Sequence, residues 1–316
     1  MLMTGIMLAC ATALCATFAL CYFARPICET LGLMDVPDER KLHRRPTPLL
    51  GGLALVLAAL PVVAITTLTF ADGAMLTTLL VIISATAAMA LLGLGDDRHS
   101  LTARNRLLLS FIVFGFAAMI EPRLNVRVLS FATPAYELGL GTHWLAILFT
   151  VVCAVGLCNA VNMADGKNGL VIGLCIGWLS LLSVRAPAEI LPIIIIIQSC
   201  LLILFVFNLF GKIFLGDGGS YGFATMIALL TIFIYNNPSP GRAHAISADE
   251  IVVLFAIPVF DSFRLTFARM MRGQSPMTAD RDHLHHHFLD RMGWPGGLVA
   301  YLLVALLPAT FWFLRG

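Results

Sequence analysis

Ten predominantly apolar windows of about bilayer length constrain this chain more than anything else in it: residues 2–24, 49–70, 74–94, 106–120, 143–159, 169–184, 189–209, 220–236, 249–267 and 297–314. A helix needs about 17–25 apolar residues to cross the hydrocarbon, and in lipid only helices and closed barrels satisfy their own backbones. The expected architecture is therefore all-α, a polytopic membrane protein with about ten transmembrane helices. Hydrophobic residues make up 59% of the 316 and charged residues 12%, which excludes an ordinary soluble domain. No repeat or low-complexity tract divides the chain, so residues 1–316 are expected as a single domain. Residues 1–23 have no basic start and run too long for the apolar region of a signal peptide, which makes them the first span. Eight cysteines lie in or beside apolar segments without a C-x-x-C pair, and read as small buried hydrophobes rather than disulfides or zinc ligands.

Fifteen of the twenty Lys and Arg residues fall in one set of loops and five in the other. By the positive-inside rule the richer set is cytoplasmic, and an even number of spans leaves both termini outside. The net charge of +2 is too small to argue for nucleic acid. The polar segments 35–48, 95–106, 159–169, 211–220 and 271–293 all belong to the basic side. A transporter would place ionisable residues near the bilayer midplane, reachable from both faces, and the stretches 76–92 and 189–207 offer almost no polar pathway. Clustering at one face favours an enzyme with a cytoplasmic active-site cleft. On the outer side, 121–142 alternates enough around Val126 to Leu129 for a short hairpin.

The densest polar segment is NAVNMADGKNG, 159–169, wedged between two apolar runs. Asn162, Asp165 and Asn168 are three apart, so a helical start would put them on one face, where amides and a carboxylate suit a nucleotide or acetamido group and a metal shell. The plainer reading is interfacial polarity with turn-forming glycines. Asp96 and Asp97 are adjacent carboxylates, which repel unless a cation lies between them, and magnesium favours carboxylates shared with substrate phosphates. A solvated helix end is the alternative. In Gly216-Asp217-Gly218-Gly219-Ser220, glycines allow close backbone approach, and a following helix offers a free row of N–H groups to an anion beside Asp217. A glycine-rich turn capped by Ser220 would look the same.

His283, His285, His286 and His287 follow Asp280-Arg281-Asp282. They suit a transition metal, a phosphate or a solvated loop; the spacing is wrong for a zinc hydrolase helix, which favours phosphate. Lys41, His43, Arg44, Arg45, Arg104 and Arg106 place cations on the same face, mostly for topology and anionic lipid, with one or two left to clamp phosphate. Asp261 and Arg264 read as a structural pair at a helix end.

Five segments in this order, DERKLHRRPTPLLGG, GLGDDR, NAVNMADGKNG, FLGDGGS and DRDHLHHHF, resemble the polyprenyl-phosphate N-acetylhexosamine-1-phosphate transferases, from about Asp35 to Met292. The resemblance implies a ten- or eleven-span helical fold in the bacterial cytoplasmic (inner) membrane. It implies transfer of a sugar 1-phosphate from a UDP-N-acetylhexosamine to undecaprenyl phosphate, releasing UMP, with magnesium or manganese as cofactor. Membrane lipids are the surrounding partners, and a homodimer is compatible with the sequence. Residue by residue it implies Asp217 as leading metal ligand with Asn162 second, and Asp96 and Asp97 as the pair acting on the lipid phosphate. Asp165, His283, His285 and His286 would be catalytic; Lys41, Arg106, Asn168, Gly218 and Ser220 would bind substrate. Asn168 stands where many members have Asp. His287-Phe288 is similar to the pentapeptide translocase of peptidoglycan synthesis, while the D-R-x-H spacing favours enzymes that begin O-antigen, capsule or related glycans.

Overall fold

The computed structural model describes residues 2–37, 45–132, 134–237, 245–275 and 282–315. Nine helices among them are long and apolar enough to cross a membrane, and a tenth apolar helix is shorter. The chain begins with α1 (Leu2–Tyr22) and α2 (Ala24–Leu31), then a two-residue antiparallel pairing of β1 (Met34–Asp35) with β2 (Thr47–Pro48). The second span is α3 (Gly51–Ala54), a π turn over Leu55–Ala59, and α4 (Leu60–Phe70). Pro61 at the start of α4 has no N–H to give the preceding turn, and the backbone widens there instead of continuing its α register.

Next come α5 (Gly73–His99) and α6 (Ala103–Ile120), the hairpin β3 (Val128–Ala132) with β4 (Ala135–Gly139), and α7 (His143–Ala164). They are followed by α8 (Leu170–Arg185), α9 (Leu191–Leu209), α10 (Gly216–Asn236), α11 (Ala248–Met271) and α12 (Leu284–Arg315). The expected hairpin is present, fixed by Tyr235, whose hydroxyl donates to Val128 O (2.7 Å) and accepts from Ser130 N (2.7 Å). All eight cysteines are free; five are buried, but Cys15 and Cys153 are exposed on the faces of α1 and α7 rather than buried as expected.

The windows read from the sequence stop short of several helices. The helices of the 106–120, 220–236 and 297–314 windows begin at Ala103, Gly216 and Leu284, because a helix continues through polar residues wherever protein rather than lipid surrounds them. Within α12 the backbone breaks at Gly293 (φ 69°, ψ 168°), which separates a polar first segment from the apolar remainder.

The core is organised on α10, buried along nearly its whole length and packed most extensively against α5. The approach is backbone to backbone: a Cβ on Gly93 of α5 would lie 2.3 Å from the Asp217 carbonyl oxygen. That seam sets two carboxylates of α5 directly over the first turn of α10, at the basic end of the bundle.

Candidate active site

Adjacent positions on a helix point about 100° apart, so Asp96 and Asp97 face different neighbours. Asp96 is buried and turns towards α6: Oδ2 accepts from Arg106 Nη1 at 2.6 Å and Oδ1 from Leu101 N at 2.6 Å. The second bond closes the reversal after α5, where Ser100 holds φ 50°. Asp97 turns towards α10, where Oδ1 accepts from Asp217 N (2.8 Å) and Oδ2 from Gly218 N (3.0 Å). The free row of N–H groups expected over Gly216-Asp217-Gly218-Gly219-Ser220 is therefore corrected: its first members are already taken by a carboxylate of the neighbouring helix. A carboxylate there also meets the positive end of the helix dipole. Gly216 (φ 71°) makes this possible, since a Cβ would sit 2.8 Å from Asp97 Oδ2. Gly218 and Ser220 are buried; Ser220 lies inside the first turns of α10 and does not cap it.

The Asp217 side chain is about one-third exposed and enters the cleft. Its Oδ1 accepts from Asn162 Nδ2 (2.6 Å), and its Oδ2 lies 3.5 Å from Arg106 Nη1. Asn162 also donates to Ser220 Oγ (2.9 Å). Asn162 and Asp217 thus meet through a hydrogen bond. The single helical face expected for Asn162, Asp165 and Asn168 does not form, because α7 ends at Ala164 with Asp165 as its C-cap. Asp165, Lys167 and Asn168 instead line the cleft from the turn that follows. Asp165 is partly buried, and burial first, then the charge of Asp97, raises its carboxyl to about 7.

Sequence reading missed Asn208, an amide inside an apolar helix. Its side chain accepts from Gly169 N and donates to Ile213 O (2.9 Å), fastening the turn before α8 to the segment before α10. The signal available was a lone Asn at the polar end of a span. From sequence alone Asp261 likewise reads only as the partner of Arg264. That pair exists (2.9 Å), but Asp261 Oδ2 also receives His283 Nδ1 at 3.0 Å. Of His283, His285 and His286, only His286 lines the cleft; the other two are buried behind it. Lys41 lies outside the described residues.

The cleft is about 1180 Å³ and opens between α5, α10, the turn after α7 and the polar start of α12. Among the described residues it is lined by six carboxylates, on Asp35, Asp96, Asp97, Asp165, Asp217 and Asp290, and by two permanent cations, on Arg106 and Lys167. No group of three or more Asp, Glu, His or Cys is arranged as a closed metal-ligand set among those residues. Magnesium rarely needs one: one or two carboxylates, with substrate phosphates and water, complete its octahedron. All four of Asp96, Asp97, Asp165 and Asp217 line the cleft; both oxygens of Asp96 and of Asp97 accept N–H bonds, whereas Asp217 accepts one at Oδ1, from Asn162, and has Arg106 at 3.5 Å from Oδ2. The donor set therefore fits a magnesium ion shared with a phosphorylated ligand.

The sequence profile of glycosyl transferase family 4 matches residues 78–235, the span from α5 through α10 that carries Asp96, Asp97, Arg106, Asp165 and Asp217 of this site. The chain belongs to glycosyl transferase family 4. Among its relatives is the undecaprenyl-phosphate α-N-acetylglucosaminyl 1-phosphate transferase of Yersinia pestis, 29% identical over 303 residues covering 93% of this chain and 79% of the relative. The enzyme of that name from Escherichia coli (strain K12) is 28% identical over 304 residues, covering 91% and 77%. A probable undecaprenyl-phosphate N-acetylglucosaminyl 1-phosphate transferase of Bacillus subtilis (strain 168) is 30% identical over 307 residues, covering 89% and 79%. As a family 4 member the protein is an enzyme of sugar-phosphate transfer, held in a membrane by its apolar helices.

Proposed function

We propose that the protein transfers N-acetylglucosamine 1-phosphate, or a related N-acetylhexosamine 1-phosphate, from its UDP-sugar to undecaprenyl phosphate at the cytoplasmic face of a bacterial inner membrane. UMP is the leaving product, and the lipid-linked sugar begins an O-antigen, capsule or related envelope glycan. The observation that carries this reading is the convergence of Asp217, held by Asn162 behind it, the Asp96–Arg106 pair, the turn 165–168 and His286 on one carboxylate-rich cleft. Among the described residues the lining carries six Asp side chains against two permanent cations, so offsetting that acidic excess would ease the entry of two phosphorylated substrates. Magnesium held by Asp217, with the turn at Asp165 beside it, would supply that neutralisation and polarise the donor diphosphate.

The chemistry exchanges one phosphoanhydride for another. An oxygen of the lipid phosphate forms a bond to the β-phosphorus of the UDP-sugar as the bond between that phosphorus and the α–β bridging oxygen breaks, and the bridging oxygen leaves with UMP. A phosphate monoester is largely a dianion at pH 7, since its second pKa is about 6, so activation of the nucleophile adds little. What remains for the protein is alignment and charge stabilisation. Arg106, anchored by Asp96 and 3.5 Å from Asp217, would receive phosphate oxygen, and Asn168 and Lys167, which line the cleft, would meet the donor. Both oxygens of Asp97 accept main-chain N–H bonds, which supports a single displacement over an aspartyl-phosphate intermediate at that residue.

Purified protein given undecaprenyl phosphate, magnesium and a panel of UDP-N-acetylhexosamines should release UMP with at least one donor, and only when lipid acceptor is present. Absence of UMP across the panel from folded protein would overturn the reading, and a phosphorylated enzyme trapped without acceptor would overturn the single displacement.

A further inference from the structure

Asp261 lies on α11 outside the cleft, 7% exposed, where a carboxylate is costly unless every lone pair is used. It is used fully. The carboxylate accepts from His283 Nδ1 (3.0 Å), from Leu284 N (3.1 Å to the nearer oxygen), and from Arg264 Nη2 (2.9 Å) and Nε (3.2 Å). Arg264 also donates to the carbonyl and carboxylate of Asp282. One residue of α11 thus caps the first turn of α12 and orients the imidazole that precedes it. With Nδ1 on a carboxylate, the neutral ring carries its proton at Nδ1.

From His283 the order passes inward through rings. His283 stacks on His285 with centroids 5.4 Å apart and planes 12° apart, and His285 lies 4.3 Å from His286 at 44°. His285 is 2% exposed, and among the described residues neither ring nitrogen has a hydrogen-bond partner, so what holds it there is packing. Its Nε2 sits 2.5 Å from where a Cβ on Gly166 would be, wedged behind the turn that carries Asp165, Lys167 and Asn168. His286, at the end of the stack, lines the cleft.

We propose that Asp261 is a positioning residue for the transfer reaction: by fixing His283 it sets, through the ring stack, where His286 and the 165–168 turn meet the sugar nucleotide. The inference rests on the function proposed above. Asp261→Asn keeps the shape and an acceptor oxygen but removes the charge that orients His283. Its kcat and kcat/KM for the UDP-sugar fall together by about 10- to 100-fold, the range typical of a lost outer-shell partner, while KM for the lipid acceptor stays unchanged.

A double-mutant cycle separates this from simple helix capping. His283→Asn costs a similar factor, and adding Asp261→Asn to it costs little more if Asp261 works through His283; a cap alone predicts that the two losses multiply. Gly166→Ala, which displaces His285 and leaves the cap untouched, lowers kcat in the same way. Multiplying losses, or Gly166→Ala at wild-type kcat, overturns the proposal. Histidine ¹⁵N shifts of the full-length protein in detergent give a readout independent of turnover. The Nδ1-protonated signature of His283 is present in wild type and lost in Asp261→Asn, and its persistence in the variant also overturns the proposal. If wild type releases no UMP with any donor, the functional reading fails and the reaction assigned to the stack fails with it, whereas the ¹⁵N result still decides whether Asp261 sets the ring.

Discussion

The wall of the cleft made by α5 and α10 is joined through main chain, whereas the wall made by the start of α12, with α11 behind it, holds its imidazoles through side chains. On the first wall, Gly93 and Gly218 bring two helices to backbone contact, and Asp97 bonds the N–H groups of Asp217 and Gly218. On the second, one carboxylate organises Arg264, His283 and the first turn of α12, and a break at Gly293 separates that turn from the apolar part of its own helix. A seam of backbone tolerates no added atom, while a network of side chains can be weakened one bond at a time. The first arrangement suits groups that must keep a fixed spacing around a shared cation. The second suits groups that close on a substrate from the opposite side.

The sharpest way to break this contrast is Gly93→Ala. The new methyl would meet the carbonyl oxygen of Asp217 at 2.3 Å and its carbon at 2.4 Å, and backbone cannot rotate away as a side chain can. Overpacking of this kind costs about 1–3 kcal/mol, occasionally more, and here it opens the seam that carries the site. The expected outcome is loss of monodisperse protein in detergent together with loss of transfer; a well-folded, active variant would show that the walls do not differ as described. Asp217→Asn sharpens the contrast from the other side. Its main-chain N–H still bonds Asp97, so the protein folds and inserts, while transfer falls by at least about 100-fold through loss of the carboxylate that faces the cleft. Thermal stability in detergent and UMP release, measured on the same preparation, decide it.

Much of the first wall was legible in the sequence, and little of the second. Glycine and aspartate at the ends of apolar windows announce themselves, because lipid tolerates neither charge nor backbone irregularity and their presence there demands a reason. Which carboxylate would cap which helix was not legible: Asp97 meets Asp217 across 120 positions of sequence, and only the packing of α5 on α10 pairs them. The same limit hid the end of α7 at Ala164, since a run of Asn, Asp and Gly is compatible with one more helical turn until the turn's contacts with Asn208 and His285 are known. Asp261 looked like a local partner for Arg264 three residues on, and it is one, but its other bonds reach across 22 positions to a segment whose histidines gave no hint of what would orient them.

A smaller effect tests whether Asp97 acts as a cap. Asp97→Asn keeps an acceptor for one of the two N–H groups and turns an amide NH₂ towards the other, so stability should drop by about 1–3 kcal/mol, the range of a lost cap and an unsatisfied buried donor. Asp96→Asn leaves the main-chain N–H groups of Asp217 and Gly218 on Asp97 and loosens Arg106 instead, so its effect should fall on activity more than on the unfolding midpoint. If the two substitutions lower the midpoint equally, the division of labour between these neighbours is wrong.

The smallest expected effect is a pH dependence centred on Asp165. Burial and the charge of Asp97 raise its carboxyl from 3.8 to about 7, so between those values the folded protein keeps a proton that the unfolded chain has lost. With more protons bound in the folded state, stability falls as pH rises through this window and levels off above about pH 7. Asp165→Asn carries no such proton and should flatten that slope between about pH 4.5 and 7. Unfolding midpoints of metal-free wild type and variant across that range make the comparison. A slope of the same size in both would mean that Asp165 is already ionised in the fold, and that the turn after α7 is wetter than its packing against the two walls implies.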